Sequence, residues 1–304
     1  MAMATSLSPK LREALPPLLF LAPAAIALIV FMGIPMVSAI TLSFQKWDGM
    51  TTASWVGLAN YLQLPQDKWF LNALWNTAFF TVATVAFKAS IPLVVAVMLN
   101  TGIKGSTAFR TLFFMPVIIS LAISGLLWAM ILEPNFGILN DTLRKLGLDS
   151  LTRLWLADRS TVMPTIIAVS VWHDIGFYLI IYFAALRGIP AEFYEAARID
   201  GANAWDQFWN ITVPTLRSII LLVVVLNTIN GVKAFDHIWV MTTGGPNHAS
   251  DTLGTYLYSI AFGGAGSSNP RLGYAAAVAV VILVISLVLS VIQLRLGKRS
   301  EVEY

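Results

Sequence analysis

The 304-residue sequence has no cysteine and only three histidines. Without thiols, the chain can form neither a disulfide framework nor a thiolate metal site. His173, His237 and His248 are scattered along the chain and lack the spacing of zinc ligands. The net charge of +3 gives too weak a field to attract nucleic acid. We therefore predict no metal site and no nucleic-acid partner.

Charged residues are also scarce, at 12% of the chain, which is about half of the usual share in a soluble domain. Hydrophobic residues make up 57% of the chain, and several uncharged runs exceed the roughly 20 residues that cross a bilayer. The first run extends from Ala14 to Gln45. It is longer than the roughly 7–15-residue core of a signal peptide, so we interpret it as a retained transmembrane helix.

This pattern predicts an all-α, multi-pass protein of the inner (plasma) membrane, with a single transmembrane domain over residues 1–304. Six helical spans are predicted, over residues 17–44, 73–99, 111–133, 162–187, 215–242 and 273–295. Short connections rich in Lys and Arg mark the cytoplasmic side of a membrane protein. Lys104, Arg110 and Arg187, together with the basic residues near both chain ends, lie on one predicted side. Both termini and the loop over residues 188–214 are therefore predicted to be cytoplasmic.

The loop over residues 188–214 predicts two short helices set at an angle. Ala196 and Ala197 propagate a first helix. Gly201 then supplies the left-handed conformation that ends a helix. Asn203, with Asp206 three residues later, predicts the start of a second helix through a capping arrangement.

The charge of this loop indicates which kind of partner it contacts. Its ionisable residues before the second helix ends are mostly acidic: Glu192, Glu195, Asp200 and Asp206, against Arg198 alone. Helices that lie on a membrane surface usually present Lys and Arg instead, because the inner leaflet is anionic. We therefore favour a protein partner over a pair of helices that only rests on the lipid.

The same loop carries the clearest family resemblance. Glu195-Ala196-Ala197, Gly201, Ile211 and Pro214 resemble the EAA loop of permease subunits in ATP-driven, binding-protein-dependent importers. Family-like segments also occur at residues 110–116, 136–140 and 243–246. Together they resemble the first permease subunit of the maltose-type and glycerol-phosphate-type sugar importers. Val213 stands where the family has a leucine before the loop proline, and the extra N-terminal spans and large outer domain of the maltose permeases are missing.

The resemblance implies a six-span type I ABC importer permease that carries a carbohydrate or a related polyol or sugar phosphate. It implies that the loop docks an ATPase through Glu195, Ala196, Ala197, Asp200, Gly201, Ile211 and Pro214. No GxxxxGK[ST] phosphate loop occurs in the sequence, so the chain is not expected to be an enzyme or to hold a cofactor. ATP and Mg²⁺ are expected on the partner ATPase. The expected partners are a second homologous permease, two ATP-binding subunits, an extracytoplasmic solute-binding protein and the lipid bilayer.

Polar residues at membrane depth predict a solute path, because such groups are costly in lipid and face a cavity or a partner. The fourth and fifth spans, which flank the loop, offer Ser170, His173, Asp174, Asn227, Asn230, Lys233 and Asp236. Lys233 and Asp236 are three residues apart, which predicts a shared helix face. In the resembled maltose permease, sugar-contacting positions correspond to Ser170, His173, Asp174, Asn227, Gly231 and Ala234 here, which adds Gly231 to the path.

Two alternatives concern the same charges. Lys88, in the second span, either neutralises an acidic group inside the helix bundle or lines the path, and His173 alone is equally compatible with a structural role. A different class of protein, an ion-coupled secondary transporter, would use Lys88, Asp174 and Asp236. Such folds often contain inverted repeats, and the sequence shows none. The identity of the solute, and the permease subunit that contacts it, stay open.

Overall fold

The computed structural model describes residues 9–100, 104–263 and 269–298, and this part of the chain is mostly helical. The helices are α1 (Pro9–Leu28), α2 (Ile34–Leu42), α3 (Ala59–Gln63), α4 (Lys68–Asn100), α5 (Ser106–Ile118), α6 (Leu121–Ile131), α7 (Ile138–Lys145), α8 (Val162–Leu186), α9 (Ala191–Ile199), α10 (Ala204–Gln207), α11 (Val213–Thr215), α12 (Arg217–Val232), α13 (Asp236–Thr242), α14 (Leu253–Phe262) and α15 (Leu272–Lys298). Two short strands, β1 (Gln45–Lys46) and β2 (Ser54–Trp55), pair antiparallel.

Four helices in the described chain are long and apolar enough to cross a membrane: Phe20–Leu42, Lys68–Asn100, Val162–Leu186 and Leu272–Gly297. The first of these is continuous through a π-helical turn, Ile29–Gly33, that joins α1 to α2. Two bent helix pairs, Ser106–Ile118 with Leu121–Ile131 and Ala204–Thr215 with Arg217–Val232, bring the number to six if each pair is one span.

The predicted third span, residues 111–133, is divided by a sharp bend. Helices α5 and α6 meet at an angle of 98°. The chain is extended at Ile119 and Ser120, and the Ser120 side chain caps α6 by accepting a hydrogen bond from the Ile123 N–H. The sequence pattern did not predict this break, because apolar residues continue on both sides of it.

The predicted fifth span, residues 215–242, is also interrupted. Helix α12 ends at Val232, and α13 begins only at Asp236. Lys233 and Asp236 therefore lie on either side of a break, and the prediction that they share one helix face is wrong. Gly231, next to the end of α12, allows a close approach to α4, since a Cβ at this position would lie 2.8 Å from Thr81 Oγ1.

Helices α4 and α8 form the centre of the bundle, and three buried clusters surround their crossing. One cluster joins Phe80 of α4 to Ile166 of α8 and Ile238 of α13. A second joins Ala96 of α4 to Tyr182 of α8 and reaches the loop after α8. A third packs α14 and α15 against the beginning of α4. The two ends of α8 thus belong to different clusters, one beside α13 and one beside the loop.

Two short helices lie between the spans, α7 before α8 and α14 before α15. The chain turns sharply after α13, where Thr243 and Gly244 both have positive φ angles, of 51° and 88°.

Candidate functional site

The loop over residues 188–214 forms the two short helices that the sequence predicts. Gly201 has a φ of +83°, in the left-handed region. The turn is closed by hydrogen bonds from the Asp200 N–H to the Ala196 carbonyl (3.0 Å) and from the Ala202 N–H to the Ala197 carbonyl (2.9 Å). Glycine is favoured here because other residues meet a steric penalty at positive φ.

The second helix begins with the predicted capping arrangement. The Asn203 side chain accepts hydrogen bonds from the N–H groups of Trp205 and Asp206, and the Asp206 carboxylate accepts one from the Asn203 N–H at 3.1 Å. A π-helical turn, Phe208–Thr212, then leads into α11, which contains Pro214. These reciprocal bonds satisfy free N–H groups at the helix start and fix the residue at which α10 begins.

The inner face of the loop packs against the helix bundle. The Tyr194 and Thr212 hydroxyl groups lie 3.0 Å apart and tie α9 to the second half of the loop. Ile211 is half-buried and packs in the same cluster as Leu186, at the end of α8, and Leu216. Direct packing therefore connects the loop to the end of α8 and to the residue before α12.

The opposite face of the loop is exposed and contains large apolar side chains. Phe193, Ile199 and Trp205 have exposed fractions of 57%, 87% and 67%. Glu195, Ala196 and Asp200 are exposed on the same loop. Aromatic side chains of this kind are enriched at the energetic centres of protein interfaces, and the small Ala196 leaves room for close approach.

A polar cavity of about 350 Å³ lies where the two broken spans meet the central helices. Its volume falls within the roughly 300–1,000 Å³ of small-molecule sites. The wall combines residues of α4, α6, α8, α12 and α13 with the chain between α12 and α13: Phe80, Thr84, Lys88, Leu121, Ser170, Asp174, Asn230, Gly231, Lys233, Ala234, Phe235, Asp236 and His237.

Lys88 and Asp174 form an ion pair in this wall. The Lys88 ammonium lies 2.6 Å from Asp174 Oδ2 and donates a hydrogen bond to Ser170 Oγ at 2.9 Å. Lys88 is only 4% exposed. A buried charge is costly unless it is paired, so the pair neutralises Lys88 while it leaves one side of Asp174 open to the cavity.

His173 extends this network to the bend in the third span. Its Nδ1 lies 2.6 Å from Asp174 Oδ1, and its Nε2 lies 2.9 Å from the Ile119 carbonyl oxygen. Both partners are acceptors, so only the doubly protonated ring donates to both. The contact with Ile119 holds a carbonyl at the end of α5, where the helix leaves it without an intrahelical partner.

Six of the eight residues predicted for the solute path line the cavity: Ser170, Asp174, Asn230, Gly231, Lys233 and Asp236. The other two do not. His173 lies behind Asp174, and Asn227 is buried and donates to the Val223 carbonyl of its own helix at 2.9 Å.

Sequence reasoning left several wall residues out of the path, among them Thr84, Leu121 and His237. Their proximity depends on the bends in the third and fifth spans, which the sequence did not reveal. Lys88 was recognised as a charge at membrane depth, but its partner is 86 residues away in the chain. No local spacing indicates such a pair.

Comparison with known proteins gives a consistent result. Residues 89–302 match a family model described as "Binding-protein-dependent transport system inner membrane component". The probable ABC transporter permease protein YurN of Bacillus subtilis (strain 168) is 38% identical over 290 residues, which cover 94% of this chain and 97% of YurN. The lactose transport system permease protein LacF of Rhizobium radiobacter is 34% identical, over 90% of this chain and 91% of LacF.

A solved structure extends the similarity to the fold. One chain of a bacterial ABC transporter involved in the import of the acidic polysaccharide alginate superimposes with a TM-score of 0.83 and 26% identity, over 95% of this chain and 97% of that chain. The expected type I importer permease fold and the multi-pass membrane character are thus confirmed. The chain belongs to the family of binding-protein-dependent transport system inner membrane components, the permease subunits of ABC importers.

Proposed function

We propose that this chain is the permease subunit of an ATP-driven importer that moves a carbohydrate, or a related polyol or sugar phosphate, across the inner membrane. The observation that carries the proposal is that one helix, α8, contributes Asp174 to the polar cavity and ends at Leu186 beside the exposed loop. Relatives that import lactose and alginate, by their names, support the carbohydrate class.

The coupling follows from the length and packing of α8. Asp174 and Leu186 are twelve residues apart, which is about 18 Å along an α-helix. A force on the loop therefore reaches the cavity through a rigid element, and α12, which begins after Leu216, carries it to Asn230 and Gly231. Because packed helices shift as units, movement of the loop changes the cavity.

The loop residues have distinct roles in this proposal. Glu195 offers an exposed carboxylate to a basic residue of the ATPase, while Ala196 and Ala197 permit close contact. Gly201 and Asp200 set the turn between the helices. Ile211 and Pro214 pass the displacement to α12. The ATP and Mg²⁺ sites belong to two separate ATP-binding subunits, and a second homologous permease and an extracytoplasmic solute-binding protein complete the assembly.

The cavity wall suits a solute rich in hydroxyl groups. Asn230 offers an amide that both donates and accepts hydrogen bonds, Lys233 donates and Asp236 accepts. Phe80 and Phe235 add apolar faces for the carbon skeleton. Ion coupling is supported less well, because the family model and the similar permease YurN belong to ABC importers.

Purification of the intact assembly tests the proposal. The tagged chain is extracted from its native membrane in mild detergent, and the co-purifying proteins are identified by mass spectrometry. We expect a second permease and ATP-binding subunits, together with ATPase activity in the purified fraction. Recovery of the chain without any ATP-binding protein, from membranes in which saccharide uptake is active, would contradict the proposal.

A further inference from the structure

His237 is a buried imidazole that has no hydrogen-bond partner among the described residues. It lies in the first turn of α13, lines the cavity and is 2% exposed. Neither of its ring nitrogens is bonded to any of the described residues. A neutral imidazole has one donor and one acceptor, and buried polar atoms in folded proteins nearly always have a partner. An imidazole that lines a cavity with both nitrogens free therefore indicates a ligand.

The position of His237 is fixed by close packing. Gly125 of α6 faces it, and a Cβ at Gly125 would lie 3.2 Å from both the Cα and the carbonyl oxygen of His237. The Phe80 ring lies on another side, with ring centroids 5.7 Å apart. The backbone of His237 is therefore held in place beside the cavity, and rotation of the side chain can bring a ring nitrogen, buried in this structure, to the cavity surface.

The charges of the wall define the chemistry of the ligand. Lys88 and Lys233 are balanced by Asp174 and Asp236, so the wall carries no excess of either sign. An ammonium only donates and an ionised carboxylate only accepts, whereas a neutral imidazole does both. A hydroxyl group also donates and accepts, and it is the natural partner of His237.

We propose that His237 hydrogen-bonds a hydroxyl group of an uncharged, polyhydroxylated solute in the cavity and contributes to solute selection. This inference rests on the proposed import of a carbohydrate. It adds a residue of α13 to the solute path and favours neutral sugars and polyols over sugar phosphates, because the balanced wall offers a phosphate no unpaired cationic cluster.

A single thiol tests the contact directly. Because the chain has no cysteine, the His237→Cys variant carries one thiol at the cavity wall, and labelling of this chain's band on a denaturing gel reports that position alone. The complete importer is reconstituted in proteoliposomes, and radiolabelled lactose, maltose and diacetylchitobiose are first tested with the wild-type chain. The sugar that is imported best is then used as the protecting ligand.

We expect a methanethiosulfonate reagent to label Cys at position 237 during ATP turnover and the imported sugar to slow this labelling. The matched control is Ser286→Cys. Ser286 is also buried, and its hydroxyl has no partner among the described residues, but it lies on α15 outside the cavity wall. The sugar should not change the labelling of this variant.

Two functional variants provide an independent readout. His237→Phe keeps an aromatic ring but removes both hydrogen-bonding atoms, and we expect sugar uptake per assembled complex to fall about 2- to 10-fold, the effect of one lost hydrogen bond. His237→Asn restores a donor and an acceptor and should recover most of the uptake. Normalising to the recovered complex separates this effect from a loss of assembly.

The outcomes distinguish the inference from the function on which it rests. If the wild-type complex imports no carbohydrate, polyol or sugar phosphate, the proposed function fails and the inference fails with it. If a sugar is imported but does not protect the thiol at position 237, or if His237→Phe imports it at the wild-type rate, only the inference is overturned. If His237→Cys does not assemble, the uptake of the Phe and Asn variants decides.

Discussion

The ammonium of Lys88 lies 2.6 Å from the carboxylate of Asp174, and this pair joins the two central helices at the wall of the polar cavity. Asp174 also holds His173, which contacts the Ile119 carbonyl at the bend of the third span. Three elements, α4, α8 and the end of α5, are thus tied together beside the proposed solute path. A displacement of α8 cannot occur without changing these contacts.

We expect the ion pair between Lys88 and Asp174 to stabilise the folded protein. Lys88→Met leaves Asp174 without its ammonium partner and should lower the unfolding free energy. The loss should stay below the roughly 3–5 kcal/mol of a fully buried pair, because Asp174 is 24% exposed and keeps His173. Thermal unfolding of the purified complex measures the loss.

The matched control is the double variant Lys88→Met/Asp174→Asn, in which neither member of the Lys88–Asp174 pair is left as a lone charge. It should unfold at a higher temperature than Lys88→Met. Equal destabilisation of the two variants would show that Lys88 acts through packing and not through its charge.

We expect the left-handed backbone conformation of Gly201 to be needed for coupling ATP hydrolysis to solute import. Because a Cβ at this position meets no atom within 4 Å and φ is +83°, a substitution is opposed by backbone conformation alone. Gly201→Val requires a β-branched residue at positive φ, an unfavourable conformation that costs about 1–2 kcal/mol or more. Gly201→Asn is the control, because asparagine tolerates this region.

In reconstituted complexes we expect Gly201→Val to import less solute for each ATP hydrolysed, while Gly201→Asn stays near the wild-type ratio. Membrane insertion should be unchanged in both. A wild-type ratio in the valine variant, at a normal level of assembly, would remove the left-handed turn from the coupling mechanism.

Asp67 should make stability depend on pH at the junction of α4, α14 and α15. Burial raises the pKa of Asp67, but hydrogen bonds from the Tyr256 and Tyr274 hydroxyl groups and from the N–H groups of Trp69 and Phe70 outweigh it and hold the pKa below its ordinary value. The Tyr274 hydroxyl donates to Asp67 Oδ2 at 2.8 Å. A lowered pKa in the folded state means that ionised Asp67 stabilises the fold.

This contribution is present above the unfolded pKa of about 3.9 and is lost as pH falls through the lower folded value. The melting temperature of the wild-type complex should therefore begin to drop as the pH falls below about 5, and should keep dropping until the pH is below the lowered folded pKa. In Asp67→Asn this part of the pH dependence should be absent, and stability at neutral pH should be lower. An unchanged pH profile in the variant would contradict the assignment.

Gly176 should be essential for the crossing of α5 and α8. A Cβ at this position would lie 2.1 Å from the Phe113 carbonyl oxygen, which is a backbone atom and cannot easily move. Gly176→Ala should lower stability by about 1–3 kcal/mol or more through overpacking. Gly33→Ala is the control, since its nearest contact is an ordinary 3.9 Å, and detergent-solubilised yield and melting temperature compare the two.

The local features of the coupling loop could be predicted from the sequence because each depends on neighbouring residues. The left-handed Gly201 and the cap formed by Asn203 and Asp206 have short-range signatures. The break at Ile119 has none, because the apolar residues around it suit both a straight span and a bent one. The break after Val232 has none, because Lys233 and Asp236 have the spacing of one helix face. Tertiary packing, and the contact of His173 with Ile119, decide between a straight span and a bent one.

The cavity residues likewise divide into those that the sequence identifies and those that only tertiary packing brings together. Asp174 and Asn230 were recognised because polar groups are rare at membrane depth. The pairing of Lys88 with Asp174 and the position of His237 at the cavity wall depend on how distant helices cross. The sequence therefore predicted the polar content of the path but not its pairing or its outline.

The energy source of transport tests the central claim most directly. Proteoliposomes that contain the assembled complex are supplied with the solute-binding protein and a labelled saccharide, and uptake is compared with internal ATP alone and with an imposed proton or sodium gradient alone. The account predicts uptake only with ATP, and none when the ATP-binding subunits carry a substitution that blocks hydrolysis. Uptake driven by an ion gradient without ATP would contradict it and would assign Lys88, Asp174 and Asp236 to ion coupling.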